Sequence, residues 1–279
     1  MTDPNTPGSV DASDDDDAHQ PVRRRRGIYV LPNAVTLAAL FSGFYAIVMA
    51  MNGRFELACI AIFAAAVLDS LDGRIARMTN SQSAFGEQMD SLSDMVSFGA
   101  APALIIYIWA FKDMGKLGWI PSFVYIAGAA LRLARFNVNI GVVDKRFFQG
   151  LPSPAAAAIV IGMIWALDDR GFKGVTGIPW VVWTAYAVTL FAGLSMVTNA
   201  PFYSFKVFGG RRTVPFIVLV AIALAIALIA QDPPLGLFAI FCVYGLSGYA
   251  VYGWKKMKGR QVSVIATSTK DPDEKGLHP

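Results

Sequence analysis

Long apolar runs recur along this chain, separated by short polar breaks, and most approach the ~20 residues that cross a bilayer as a helix. They fall at 31–51, 55–77, 90–112, 118–136, 154–168, 178–198, 213–231 and 235–254. The fifth is short, so between six and eight spans satisfy the pattern. A backbone in hydrocarbon must satisfy its own N–H and C=O groups, which leaves helices or a closed barrel, and these runs are too long and continuous for barrel strands. The fold expected is all-α: a polytopic integral membrane helical bundle of about eight transmembrane helices. The ends read differently. Residues 1–26 open acidic, with Asp14 to Asp17, and close basic, with Arg23 to Arg26, while 259–279 are polar with no apolar period. Both are expected to be disordered cytoplasmic tails flanking one membrane-embedded domain at 27–258. The acidic start does not suit a cleaved secretory signal, and the arginine cluster reads as a topology anchor.

Composition supports a membrane protein. Hydrophobic residues make up 55% and charged residues 16%, with a mean hydropathy of +0.48, against about 25% charged residues in soluble domains. With eight spans, nineteen of the 24 Lys and Arg fall on one side of the membrane. Basic residues concentrate in cytoplasmic loops, so both termini and the loop joining spans two and three are expected in the cytoplasm. Cys59 and Cys242 lie within spans and read as small core residues rather than a disulfide framework. His19 and His278 lie in the tails, which removes histidine as a general base. No nucleic-acid partner is expected.

One segment breaks the apolar pattern, reading DSLDGRIARMTNSQSAFGEQMDSLSD over 69–94. At 3.6 residues per turn, Asp69, Asp72, Gly73 and Ala76 share a face of one helix, and Gly86, Asp90 and Asp94 share a face of the next. A carboxylate at membrane depth costs several kcal/mol unless compensated, so four together signal a functional site. Two facing helices present all four to one pocket, and oxygen-only ligands suit Mg²⁺ or Mn²⁺ better than zinc or copper. Gly73 and Gly86 leave room for a ligand to approach the backbone. A plainer alternative is incidental acids paired with Arg74 and Arg77. A cation transporter or channel would also carry intramembrane acids, but inverted repeats or paired broken helices would mark that class and none is visible.

The spacing D-x2-D-G-x2-A-R-x8-G-x3-D-x3-D resembles the signature of the CDP-alcohol phosphotransferases, matched by Asp69, Asp72, Gly73, Ala76, Arg77, Gly86, Asp90 and Asp94. The resemblance implies transfer of a substituted phosphate from a CDP-linked lipid to an alcohol, with release of CMP. It makes Asp69, Asp72 and Asp90 metal ligands, with Asp94 sharing a metal and accepting the proton of the attacking hydroxyl. Two divalent ions would let an anionic diphosphate approach four aspartates. The same resemblance sets Gly73, Ala76, Arg77, Ser83 and Gly86 around the cytidine and phosphates. Asn33 reads as the N-cap of the first span after Pro32, at a position that reaches the CDP moiety in the family.

RLARFN at 132–137, GLPSPAAAA at 150–158 and SFGAAPA at 97–103 resemble the phosphatidylserine-forming branch of that family. CDP-diacylglycerol and L-serine are then the implied substrates. Arg132 and Arg135, three apart on a helix end and facing one way, are candidates for serine's carboxylate or a lipid phosphate, and Lys145 and Arg146 extend the cluster. Sibling enzymes using glycerol 3-phosphate, inositol phosphate or choline are the alternative. The resemblance also implies a homodimer in membrane lipid, in a bacterial inner membrane.

Overall fold

The computed structural model describes residues 30–138, 147–172, 178–203 and 216–258. Within them the chain forms eight helices: α1 Val30–Met51, α2 Phe55–Met78, α3 Ala84–Phe111, α4 Trp119–Val138, α5 Ser153–Asp169, α6 Pro179–Val197, α7 Phe216–Gln231 and α8 Pro233–Met257. The expected all-α membrane bundle is what forms. Five helices (α1, α3, α4, α6 and α8) are long and apolar enough to cross a membrane on length and composition alone. Helix α2 carries Asp69, Asp72, Arg74 and Arg77 in its second half, and α5 and α7 are shorter, at 17 and 16 residues. Both tails, the Arg23 to Arg26 cluster, both histidines and the Lys145–Arg146 pair lie outside the described residues.

Side chains sort as a bilayer requires. Phe41, Phe44, Val67, Phe123 and Trp183 are more than half exposed, an apolar belt that water would not tolerate and lipid covers. The core forms around α5, whose SPAAAAIVIGMIW run is buried along almost its whole length. A helix that is apolar all round belongs in the interior, and its alanines let α2, α6 and α8 pack closely around it. Helix α1 lies along α2 and α3, α4 pairs with α6, and α7 packs on α8.

Three local features depart from the sequence reading. Helix α1 is already helical at Val30, so Pro32 and Asn33 lie inside it and Asn33 is not the N-cap. Helix α3 widens into π-turns at Met95–Ala100 and Tyr107–Phe111, with the Ala101 N–H bonded to the Val96 carbonyl. Pro102 has no N–H to offer the Phe98 carbonyl four residues back, and the buried Tyr125 hydroxyl of α4 donates to that oxygen at 2.9 Å. Finally, Phe147–Gln149 (β1) pairs antiparallel with Pro201–Tyr203 (β2), Phe148 opposite Phe202. This short ribbon ties the chain entering α5 to the chain leaving α6.

Candidate active site

The turn between α2 and α3 sets the site. Helix α2 ends in a Schellman motif: Ser81 N–H reaches the Ala76 carbonyl at 3.0 Å and Asn80 N–H the Arg77 carbonyl at 3.4 Å. Asn80 takes the left-handed conformation this motif requires, with φ 49°, a backbone that asparagine tolerates better than most residues. Three residues on, Ser83 caps α3, its hydroxyl accepting from Gly86 N–H at 3.0 Å. So tight a reversal brings the two aspartate-bearing helices together, and carboxylate oxygens of Asp69, Asp72 and Asp90 lie within 4.8 Å of one another. Asp69 is also in hydrogen-bonding contact with both Asp90 and Asp94.

Contacts between carboxyl groups call for a shared proton or a cation. Asp94 adds a second indication, since its Oδ1 is buried with no hydrogen-bond partner, and an orphaned carboxylate oxygen is costly until something positive reaches it. The donor set is wholly oxygen, so the residues fit a hard divalent ion.

One residue that the sequence reading missed braces this cluster. Thr36 of α1, buried like Asp72, donates from Oγ1 to Asp72 Oδ2 at 2.7 Å, with the Pro32 carbonyl at 3.1 Å as its alternative acceptor. Its own carbonyl accepts from Ser93 of α3 at 3.3 Å. Thr36 thus joins all three helices of the site. It lies one turn beyond Asn33 in LPNAVT, a face relation that would have pointed to it had Asn33 been read as lying inside α1.

A cavity of about 220 Å³ opens beside the carboxylates between α1, α2 and α3. Asn33, Gly73, Ala76, Arg77, Ser83 and Gly86 all line it. At Gly86 a side chain would be tight, a β-carbon standing 3.2 Å from Ser83 Oγ and 3.4 Å from Asn33 Oδ1, whereas one on Gly73 would meet the end of the Arg77 side chain at an ordinary contact distance of 3.4 Å. With Arg77 on one wall and Asp72 and Asp90 on another, the cavity offers donors for phosphate oxygens next to a cation site.

The two arginines of RLARFN do different things. Arg132 bonds Ser153 Oγ at 2.8 Å at the start of α5 and lies near enough to Asp94 for their charges to interact. Arg135 turns to the C-terminus of α6, donating to the carbonyls of Met196 at 3.2 Å and Val197 at 2.9 Å and to Asn199 Oδ1 at 3.0 Å. Those are carbonyls that a helix end leaves without intrahelical partners, so the guanidinium serves as a cap. The single shared face expected from the spacing is therefore split.

Residues 29–191 match the CDP-alcohol phosphatidyltransferase family, and the chain belongs to it. It is an enzyme that transfers a phosphatidyl group from a CDP-linked donor. Among its relatives, the CDP-diacylglycerol–serine O-phosphatidyltransferase of Helicobacter pylori is 34% identical over 220 residues, covering 78% of this chain and 90% of that protein. The enzyme of the same name from Methanocaldococcus jannaschii is 30% identical, covering 80% and 96%. That of Mycobacterium tuberculosis is 36% identical over 62% of this chain and 64% of its own length. A solved structure of Mycobacterium tuberculosis phosphatidylinositol phosphate synthase with CDP-DAG bound is similar at 20% identity and a TM-score of 0.46, covering 62% of this chain and 85% of that one.

Proposed function

We propose that this enzyme transfers the phosphatidyl group of CDP-diacylglycerol to the hydroxyl of L-serine, yielding phosphatidylserine and CMP. The observation that carries the reading is the convergence of Asp69, Asp72 and Asp90 beside a cavity with Arg77 at its wall, in a chain whose relatives over most of its length bear that activity's name. Asp69, Asp72, Asp90 and Asp94 hold divalent metal, Mg²⁺ or Mn²⁺ and two ions per site. When bound, the metal neutralises the carboxylates and the charge developing on the departing CMP. Arg77 offers its fork of donors to the diphosphate, and Asn33, Gly73, Ala76, Ser83 and Gly86 shape the space for the nucleotide.

Asp94 is the base. Serine's hydroxyl oxygen forms a bond to the phosphatidyl phosphorus as the bond from that phosphorus to the CMP oxygen breaks. The hydroxyl proton passes to Asp94, the member of the aspartate cluster whose buried Oδ1 has no hydrogen-bond partner. Arg132, beside Asp94, holds serine's carboxylate; Arg135, committed to the α6 terminus, supports that wall. The site faces the cytoplasm of a bacterial inner membrane and the enzyme works as a homodimer, as the distribution of basic residues and the family resemblance suggest. The test is CMP release by purified protein given CDP-diacylglycerol, Mn²⁺ and serine. Release that needs serine and stops reversibly in EDTA supports the proposal; equal release without serine, or in chelator, refutes it.

A further inference from the structure

The family match ends at residue 191, before α7 and α8 begin, and α7 meets little besides α8. Helix α8 is attached differently. Its Tyr249 hydroxyl lies 2.7 Å from the hydroxyl of Ser195 near the end of α6, and Ser195 is buried. Phe202 of β2 packs its ring against Tyr244 at 5.9 Å and edge-on against Tyr249 at 6.0 Å. That ring occupies space that only a glycine leaves: a β-carbon on Gly248 would stand 2.6 Å from Phe202 Cδ1.

The α6 terminus that α8 grips also carries the arginine pair. The Ser195 carbonyl accepts from Leu151 N–H at 3.0 Å, two residues before the Ser153 that Arg132 bonds. The next two carbonyls, of Met196 and Val197, are the ones that Arg135 caps. Tyr244 also stands close enough to Arg132 for their charges to interact. None of these residues lines the cavity between α1, α2 and α3.

We propose that α8 forms part of the acceptor side of this enzyme, with Tyr249 a positioning residue that sets the arginine wall through Ser195. The proposal rests on the function argued above in naming serine as the acceptor and Arg132 as the partner of its carboxylate. Loss of the Tyr249 bond lets the α6 terminus and the Leu151–Ser153 entry to α5 shift together, moving Arg132 while leaving the nucleotide cavity in place. An anchor with no role in the reaction would instead affect stability alone.

The test uses the full-length enzyme with Tyr249→Phe, Ser195→Ala and the double variant, reading kcat, both KM values and Tm. Each single variant is expected to raise the acceptor KM by between about 2- and 12-fold, the span of one neutral hydrogen bond, with the KM for CDP-diacylglycerol unchanged. The double variant should do no more than the larger single, since both remove one interaction. Gly248→Ala, which displaces α8 from Phe202 without touching that bond's atoms, should give the same split. Equal shifts in both KM values, a change confined to Tm, or additive effects in the double variant would overturn the proposal. Should wild type release CMP with another alcohol and not with serine, the functional reading fails on its own, and the same split is measured with that alcohol.

Discussion

Thr36→Val removes one hydroxyl from the centre of the site while keeping the side chain's shape. The wild-type bond to Asp72 Oδ2 is 2.7 Å long and buried at both ends, the length of a charge-assisted O–H···O⁻ contact. Such bonds contribute ~1.5–3 kcal/mol. If that energy serves to orient Asp72 toward a metal, its loss weakens metal affinity by about 10- to 150-fold at 1.4 kcal/mol per decade. The range overlaps the about 10- to 100-fold typical of outer partners of metal ligands. Mn²⁺ binding to the purified protein, followed by electron paramagnetic resonance of the free ion, measures this without reference to turnover; the Mn²⁺ dependence of CMP release should move in parallel. Thr36→Ser, which restores the hydroxyl, should recover most of the affinity. Wild-type Mn²⁺ affinity in Thr36→Val, with only Tm lowered, would show that the contact joins helices and does not orient a ligand.

Tyr125→Phe leaves the Phe98 carbonyl without the donor that Pro102 cannot supply, and should destabilise the protein by ~1–3 kcal/mol, read as a lower Tm in detergent; an unchanged Tm would mean that the π-turn satisfies this oxygen unaided. Arg132→Ala should raise the KM for serine more than that for CDP-diacylglycerol, by about tenfold or more for a lost charge-assisted bond, whereas equal shifts would assign Arg132 to the lipid phosphate or to folding. In intact cells, a cysteine introduced as Gln82→Cys should be shielded from a membrane-impermeant thiol reagent and one introduced as Lys116→Cys should be labelled; the reverse pattern would invert the orientation.

The helices were legible in the sequence because a bilayer leaves the backbone few options, and each expected run contains a helix. Helix α3 nevertheless begins at Ala84 rather than 90, and only five of the described helices are long and apolar enough to span on that criterion alone. The carboxylate cluster was legible for a related reason: Asp69, Asp72, Asp90 and Asp94 repeat at helical spacing in a setting where acids are costly. What the sequence concealed were contacts between distant elements. Thr36 reads as an ordinary residue of an apolar helix until α1 is laid against α2, and its hydroxyl then meets Asp72. Arg132 and Arg135 share a spacing, yet their partners Ser153 and Asn199 arrive from different parts of the chain. The π-turn at Met95–Ala100 adjoins Pro102, and the Phe98 carbonyl that Pro102 cannot serve is met by Tyr125, a residue on another helix. The β1–β2 ribbon is three residues long on each side, too short for a period of two to register.

Acceptor choice is the central claim of the proposed function, and one competition reaction tests it. Purified enzyme is given CDP-diacylglycerol, Mn²⁺ and an equimolar mixture of serine, glycerol 3-phosphate, inositol phosphate and choline, and the lipid product is identified by mass spectrometry against the CMP released. Phosphatidylserine should form as the dominant lipid, in one-to-one proportion to CMP. A different phospholipid as the main product, matched to CMP, would leave the transferase chemistry standing and contradict the assignment of serine.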